Sequence, residues 1–531
     1  MSYRGWSSRS SKSGLTPLRV IRNSRSRPQF VIDEADRMRG IHVVAGSGSG
    51  KSLLIGGNIA FGDFMRHTPQ VLFDPVGSMI DAFLMRIASV PNPTQDEFCS
   101  RILYVDMSAR GAHLVPFPLL YELGGETRHD VAERFLATCL AIDPQLQSAS
   151  IQGWNALQRT GLPVGIILAS LGLQLDSAMD LLRRPEAWTP RLNEAVVRHP
   201  DAAPAVAFIR DEYIPATPSR RAELTASYRA KVEPFTLDPT MRAMFCSTPS
   251  GVDWHRVMAD RLTVLLDFRG ETNPGKRLFK TRAAFDYVRE FVRHRGPGAH
   301  LPLALHIDEL TELTNAQSLD QSLFARDLDY LLNVLMRGFS CPVTVAHQSM
   351  HQVAESTQRT LMSMGTHVIG VTTDVESAEF LARHVVQFDP QRVKRWERVW
   401  ASESKPAIGF GPAYTNHFVI DKREVNWPLD EQLYVAARAL RNLRPFEYLI
   451  KPKGRSTLVH ASIKRHVGNP WPTDHADLLT DLRDRLARQA CSAVVQIGPP
   501  APVPSVTLKD SDAHHDPRDD DDQLDPLYWR S

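Results

Sequence analysis

A glycine-rich loop between an apolar strand and a helix constrains the fold of this chain of 531 residues more than any other feature. Residues 45–52 read Ala-Gly-Ser-Gly-Ser-Gly-Lys-Ser, the phosphate-binding loop (P-loop) pattern with alanine in the first glycine position. The loop follows the apolar run Ile41–Gly46 and precedes a helical pattern over Leu53–Met65. Backbone N–H groups in such a loop, together with the helix N-terminus, favour a bound phosphate. The alternative is a glycine- and serine-rich turn followed by a chance Lys-Ser pair.

The P-loop pattern gives each of its polar residues an expected role. We expect Lys51 to reach the β- and γ-phosphates of ATP, and the Ser52 hydroxyl to ligate Mg²⁺. Lysine supplies the phosphate charge, and a serine hydroxyl is a ligand suited to a hard cation. The predicted nucleotide-binding residues are Ala45, Gly46, Ser47, Gly48, Ser49, Gly50, Lys51 and Ser52.

A second motif indicates hydrolysis rather than phosphate binding alone. The apolar run Leu303–Ile307 leads directly into Asp308 and Glu309, the pattern of a Walker B strand. We expect Asp308 to hold Mg²⁺ through water and Glu309 to polarise the attacking water. The alternative is an acidic helix N-cap that happens to follow a strand.

Two further polar residues lie near the next predicted strand. In multi-strand P-loop ATPases a polar residue at the tip of the strand beside Walker B senses the γ-phosphate, and Gln348, after Cys341–His347, occupies that place. Arg337 precedes the same strand. Two interpretations of Arg337 stay open here: an arginine finger that reaches the phosphate of a neighbouring subunit, or a cation that stabilises a helix C-terminus.

Strand and helix patterns alternate over most of the chain, which predicts an α/β fold with a doubly wound, mainly parallel sheet. Between residues 124 and 240 helical periodicity replaces the strand pattern, so an all-α domain is expected beside the sheet. The predicted organisation is a basic arm (1–30), the first part of the α/β domain with the P-loop (31–123), the all-α domain (124–240), the second part of the α/β domain with Walker B, Gln348 and C-terminal β elements (241–470), a terminal helix (471–495) and an acidic tail (496–531).

Composition excludes several classes of protein. The apolar fraction of 43% and the charged fraction of 23% are ordinary for a soluble globular protein. Five scattered cysteines without a CxxC pair do not suggest a structural zinc site. The most apolar uncharged stretch, residues 160–175, falls short of the roughly 20 residues of a membrane span, so no integral membrane segment is expected. The arm has seven Lys/Arg and no acid, residues 508–531 have eight Asp, and both ends are expected to be disordered.

Several segments together resemble the conjugative coupling ATPases of type IV secretion systems, the TraG/TraD-like group within the HerA/FtsK superfamily of DNA translocases. The resemblance covers roughly residues 40–390. The segments that carry it are AGSGSGKS (45–52), VLFDPVGS (71–78), PFTLDPTMRAMFCSTPSGVDW (234–254) leading into LTVLLDF (262–268), LALHIDELTEL (303–313), MRGFSCPVTVAHQSMHQVAE (336–355) and MGTHVIGVTTDVESAEFLAR (364–383).

The resemblance implies a RecA-like motor that assembles as a homohexamer and moves DNA with ATP and Mg²⁺. It implies phosphate binding by Lys51 and Ser52, Mg²⁺ binding by Asp308, hydrolysis by Glu309, sensing by Gln348 and a trans-acting finger at Arg337. It also implies secretion-channel or relaxase proteins as partners, and a cytoplasmic location that is at most peripheral to the inner membrane. Members of the group usually carry an N-terminal membrane anchor, which is not expected from this sequence, and residues 74–77 read Asp-Pro-Val-Gly where Asp-Pro-Lys-Gly is usual.

Other functions stay open at this stage. One is a soluble DNA-processing or defence translocase, another is a secretion ATPase that acts on proteins, and a third is a nucleotide-dependent scaffold. Glu309 argues against the scaffold, which has less need of a hydrolytic glutamate. The basic and aromatic segment 392–400 suggests either a DNA contact or a solvated amphipathic helix, and the helix is the favoured interpretation. His347 and His351 have zinc-pair spacing but no third ligand nearby.

Overall fold

A large mixed sheet organises the molecule. The computed structural model describes residues 16–19, 29–32, 34–108, 113–142, 150–298, 300–313, 327–386, 388–391, 393–405, 414–453, 458–463 and 475–496. The strands are, in chain order, β1 (Thr16–Arg19), β2 (Gln29–Ile32), β3 (Ile41–Val44), β4 (Gln70–Asp74), β5 (Ile102–Asp106), β6 (Thr263–Asp267), β7 (Ala304–Ile307), β8 (Val343–His347), β9 (Thr366–Ile369), β10 (Val393–Lys405), β11 (Tyr414–Asn426), β12 (Glu447–Pro452) and β13 (Val459–Ser462).

Nine strands form one sheet in the order β13-β12-β9-β3-β8-β7-β4-β6-β5. The seven strands from β9 to β5 are parallel, whereas β12 and β13 extend the β9 side in antiparallel pairing. The inner parallel strands are buried along their whole length, because helices cover both faces. This topology confirms the predicted α/β class, a RecA-like P-loop fold with a doubly wound, mainly parallel sheet.

Helices fill the connections between the strands. The helix after β3 is continuous, with a π-helical segment (Ile55–Ala60) between two α-helical ones (Lys51–Leu54 and Phe61–Met65). Two more π-helical segments are Phe208–Tyr213 and Leu331–Leu335. The other α-helices are Glu34–Arg37, Ser78–Ala88, Asn92–Ser100, Arg128–Ile142, Ser150–Ser170, Ala178–Arg183, Thr189–Arg198, Ala203–Ala207, Pro218–Leu237, Pro239–Phe245, Trp254–Ala259, Pro274–His294, Met336–Gly338, Glu355–Met362, Val375–Val385, Leu429–Arg441 and His475–Gln496. Short 3₁₀ turns occupy Leu175–Ser177, Pro185–Trp188, Pro200–Ala202, Leu310–Leu313 and Met350–Gln352.

The helical block between β5 and β6 shares a hydrophobic core with the sheet. Its buried side chains form one continuous cluster with residues of β4, β6 and β7. Phe235 and Phe245 of the block pack edge-on against Phe279 of the long helix Pro274–His294, with ring centroids 5.5 and 5.8 Å apart. A buried hydrogen bond from Thr138 Oγ1 to Asp286 Oδ2, 2.7 Å long, joins the same elements. The block is therefore packed on the sheet and its helices through specific contacts.

The segment around residues 393–405 differs from the favoured interpretation. It is a β-strand paired antiparallel with Tyr414–Asn426, so the expectation of an amphipathic helix is wrong. Alternating valine, tryptophan and charged residues suit a strand. The partner strand is a separate segment, and the periodicity of residues 393–405 gives no indication of it. Arg392 lies outside the described residues.

The N-terminal arm is described only in part. Thr16–Arg19 pairs with Gln29–Ile32 as a two-stranded antiparallel sheet, within and just after a segment for which the sequence predicts disorder. The rest of the arm and the acidic tail lie outside the described residues. In the described part of the chain, no single helix is long and apolar enough to cross a bilayer, and Asn155–Ser170 with Leu175–Arg183 pass that test only as a pair bent by 120°.

Candidate nucleotide site

The P-loop leaves the carboxyl end of β3 in a conformation that needs glycine. Gly48 and Gly50 have φ angles of 72° and 90°, in the left-handed region that side chains disfavour. At Gly50 a Cβ atom would lie 2.3 Å from the Phe446 ring. The Phe446 N–H and the Tyr448 hydroxyl both donate to the Ser49 carbonyl, at 2.8 and 3.0 Å. The start of β12 therefore supports the loop from behind.

The inner surface of the loop has unused hydrogen-bonding capacity. In the residues that the structure describes, the amides of Ser47, Gly48 and Gly50 have no acceptor. The Ser49 hydroxyl is buried and has no partner either. Ser47 and Gly48 are exposed, so water can reach their amides, whereas a buried hydroxyl such as that of Ser49 nearly always has a partner in folded proteins. Together these donors fit the phosphate oxygens of a nucleotide.

Lys51 and the acidic motif at the end of β7 meet directly. The Lys51 Nζ lies 2.5 Å from Glu309 Oε1 and 3.6 Å from Asp308 Oδ1. Glu309 has a φ of 51°, an uncommon value for a residue with a side chain. Gln348 donates from Nε2 to the same Glu309 oxygen at 2.9 Å. Lys51 and Gln348 thus both contact the same carboxylate oxygen of Glu309, and all three residues are predicted from the sequence.

Oxygen ligands suited to a divalent cation lie close to the lysine. Ser52 Oγ donates to Asp308 Oδ2 at 3.2 Å, and it lies 2.7 Å from the Ser78 hydroxyl. Two hydroxyls and a carboxylate are the oxygen ligands that Mg²⁺ prefers. Ser52 and Asp308 were expected here from the sequence. Ser78, the last residue of the Asp-Pro-Val-Gly-Ser stretch, was not.

Acidic side chains crowd the carboxyl ends of neighbouring strands. Burial, followed by the nearby Asp308, raises the pKa of Asp74 to about 7, although its carboxylate accepts N–H groups from Val76, Gly77 and Ile80. Burial also raises the pKa of Asp308, and Glu309 adds to the effect while Lys51 opposes it. Negative charge buried this closely favours a bound cation. Asp74 lies in the segment VLFDPVGS, which contributes to the family resemblance. It comes to lie beside Asp308 because β4 pairs with β7.

A row of three buried histidines fixes the turn that carries Gln348. His347 lies with Nδ1 2.9 Å from the Ser349 carbonyl and Nε2 2.8 Å from His42 Nε2. His42 Nδ1 lies 3.2 Å from His367 Nδ1 on the next strand. Burial lowers the pKa of His347 to about 4, so the ring is neutral at pH 7. The His347 carbonyl accepts the Ala45 N–H at 3.2 Å and so joins this row to the P-loop.

The remaining candidates are placed differently. Arg337 lies in the short helix Met336–Gly338 before β8, and its side chain is outside what the structure describes, so the finger role stays a prediction. His351 is exposed, with Nε2 3.4 Å from Asp374 and 3.2 Å from Glu376. His347 instead directs Nε2 at another imidazole. The i, i+4 histidine spacing therefore does not bring two ring nitrogens together.

Comparison with known proteins gives structural similarity only. No protein-family model matches the sequence, and no curated protein gives a significant match. The bacterial conjugative coupling protein TrwBΔN70 in its unbound form has a TM-score of 0.48 at 13% identity, over 82% of this chain and 86% of that one. The plasmid coupling protein TrwB in complex with ADP and Mg²⁺ has a TM-score of 0.48 at 13% sequence identity, and the match covers 85% of this chain and 94% of that one. VirB4 of Thermoanaerobacter pseudethanolicus has a TM-score of 0.48 at 11% sequence identity, and the match covers 84% of this chain and 96% of that one. This chain is similar in fold to these proteins at low sequence identity.

Proposed function

We propose that this protein is an ATP-hydrolysing DNA translocase similar to the coupling proteins of conjugative type IV secretion. The observation that carries the ATPase part is the convergence of Lys51, Glu309 and Gln348 on one oxygen, with Ser52 and Asp308 beside them. A phosphate-binding site without hydrolysis has no need of a glutamate in this place. The DNA part rests on the sequence resemblance over residues 40–390.

The side chains divide the work of hydrolysis among them. Residues 45–52 would hold the phosphates of ATP, and Ser52, Asp308 and Ser78 offer the oxygen ligands for Mg²⁺. Bound Mg²⁺ would neutralise charge on the β- and γ-phosphates. Lys51 provides a second positive charge there. Glu309, once Lys51 turns to the phosphates, is free to accept a proton from the attacking water, and Gln348 keeps its carboxylate in position.

DNA should stimulate the ATPase, and this stimulation is the test of the proposed function. Steady-state hydrolysis is measured without nucleic acid, with single-stranded DNA, with duplex DNA and with an unfolded protein. Stimulation by DNA supports the translocase. Stimulation by the unfolded protein alone would favour a protein-directed secretion ATPase, and no response to either would contradict the proposal. A DNA-processing or defence ATPase of the same superfamily would also respond to DNA, and the genes beside this one would separate those systems.

Binding to DNA should weaken steeply with salt and depend little on sequence. A translocase must move along every sequence, so its contacts are expected to go to phosphates. Between ~50 and ~200 mM salt the affinity should fall by at least an order of magnitude if several phosphates are contacted. Anisotropy titrations with several unrelated oligonucleotides would measure both properties. A flat salt response, or one strongly preferred sequence, would argue against translocation.

Arg337→Ala should lower turnover at least tenfold without emptying the nucleotide site. A finger acts on the phosphate of a neighbouring subunit, whereas the P-loop and Mg²⁺ still hold the nucleotide in its own subunit. The measurements are steady-state ATPase and binding of a fluorescent ATP analogue. Mixing Arg337→Ala with Lys51→Ala subunits should restore part of the activity, because some interfaces then pair an intact loop with an intact finger. Mixed oligomers that stay inactive would favour the helix C-terminal role.

A further inference from the structure

The hairpin formed by β10 and β11 stands apart from the rest of the molecule. Apart from their mutual pairing, the two strands make no more than marginal contact with any other helix or strand that the structure describes. At the base, Lys394 pairs with Glu431 and lies 4.9 Å from the Trp427 ring. A two-stranded hairpin alone is marginally stable in water. Its exposed side chains are therefore candidates for contact with another molecule.

One face of this hairpin combines aromatic rings with positive charge. Trp396, Arg398 and Trp400 alternate along β10 and so share a face, and Lys422 lies directly opposite Arg398 in the strand register. Both tryptophans are 57% exposed. Three residues lie between the two tryptophans, so a regular strand would place their Cα atoms about 13 Å apart; the register of the pair shifts between Val399 and Trp400. We call these four side chains the Trp face.

The charges on the two faces of the hairpin are arranged differently. Arg398 and Lys422 are like charges directly opposite each other, an arrangement that destabilises a strand pair. In the described part of the chain, neither has an ion-pair partner; a carboxylate on that face, Glu424, stands opposite Trp396. On the other face Arg395 lies 2.5 Å from Glu397, which is itself opposite Arg423. The positive charge on the Trp face is thus left for an external anion.

We infer that the Trp face binds single-stranded DNA, with the indole rings stacking on bases and with Arg398 and Lys422 contacting phosphates. Base stacking on exposed aromatics beside cations is how proteins hold single strands without reading sequence. Duplex DNA keeps its base faces covered. The inference rests on the proposed function. It adds a preference for single-stranded over duplex DNA and names the side chains that contact it.

A membrane surface is the other environment that tryptophan and basic residues suit. The arrangement of the face argues against it. A helix or ribbon that enters a lipid interface places apolar residues at the centre of the buried face and cations at its margin. Here the cation pair lies between the two tryptophans. The arrangement therefore favours a ligand that alternates aromatic groups with anions, as a nucleotide strand does.

Anisotropy titration of the full-length protein with labelled oligothymidine, with a duplex and with phosphatidylglycerol vesicles tests the inference. The double variant Trp396→Ala/Trp400→Ala should bind oligothymidine at least tenfold more weakly than wild type, while duplex binding changes less. Trp396→Phe/Trp400→Phe should retain most of the affinity, because phenylalanine still stacks. Arg398→Ala/Lys422→Ala should make the slope of log affinity against log salt concentration shallower by about two, because two phosphate contacts are lost. Arg395→Ala, on the other face, is the matched control and should bind as wild type does.

The outcomes separate this inference from the proposed function. Basal ATPase without DNA should be unchanged in all these variants, because the hairpin lies outside the nucleotide site. If wild type shows DNA-stimulated ATPase but the tryptophan variants bind oligothymidine equally well, the inference alone is overturned. Loss of vesicle binding with intact oligothymidine binding would make the face a membrane contact and would also overturn it. If wild type binds no DNA at all, the proposed function fails and the inference with it.

Discussion

Replacing Lys51 with alanine should lower ATP hydrolysis by ~10²–10³-fold or more, while the fold is retained. The lysine is buried against two carboxylates, 2.5 Å from Glu309 and 3.6 Å from Asp308. Its removal takes a positive charge from the phosphates and also leaves the two acids facing each other without a cation. Nucleotide affinity should therefore fall together with turnover. Steady-state ATPase, nucleotide binding and a thermal melt measure the three effects.

Two further variants define what the lysine contributes. Lys51→Arg keeps the charge but has a different reach and geometry, so it should bind nucleotide better than the alanine variant and still hydrolyse slowly. Lys453→Ala removes an exposed lysine after β12 and should behave as wild type. Hydrolysis at the wild-type rate by Lys51→Ala would remove the assignment of residues 45–52 as the phosphate site.

The local parts of the site were predictable from the sequence because each has a local signal. An apolar run that ends in glycines and Lys-Ser specifies a strand, a loop and a helix N-terminus within one short segment. An apolar run that ends in Asp308 and Glu309 specifies a strand with acids at its carboxyl end. Once the strands are parallel and adjacent, those ends meet at one edge of the sheet. The position of β8 between β3 and β7 then places Gln348 beside Glu309.

What the sequence did not predict depends on contacts between distant segments. Phe446 and Tyr448 support the P-loop only because β12 joins the sheet beside β9. The row His42, His347 and His367 is created by the register of three strands that are far apart in the chain. The sequence of β10 alone favours a helix, because the strand that pairs with it, β11, is a separate segment of the chain. Periodicity reports which face of a segment is apolar, and it does not report which segment will pair with it.

Glu309 forms an ion pair with the lysine that is predicted to bind the phosphates of ATP. Glu309 Oε1 lies 2.5 Å from Lys51 Nζ and accepts a hydrogen bond from Gln348 at 2.9 Å. The same ammonium is expected to contact the phosphates of ATP, so Glu309 and a bound nucleotide would compete for Lys51. We therefore expect nucleotide binding to release Glu309 from Lys51.

Glu309→Gln should therefore lower kcat by ~10²–10⁴-fold while nucleotide binds at least as tightly as in wild type. Glutamine keeps the size of the side chain and a carbonyl oxygen for Gln348, but it loses the charge that accepts a proton and that engages Lys51. Single-turnover hydrolysis and equilibrium binding of an ATP analogue measure the two effects separately. Glu312→Gln, one turn further on and paired with Arg277 at 3.1 Å, is the matched control and should change neither. Normal hydrolysis by Glu309→Gln would refute the catalytic role, and weaker nucleotide binding would refute the competition between Glu309 and the phosphates for Lys51.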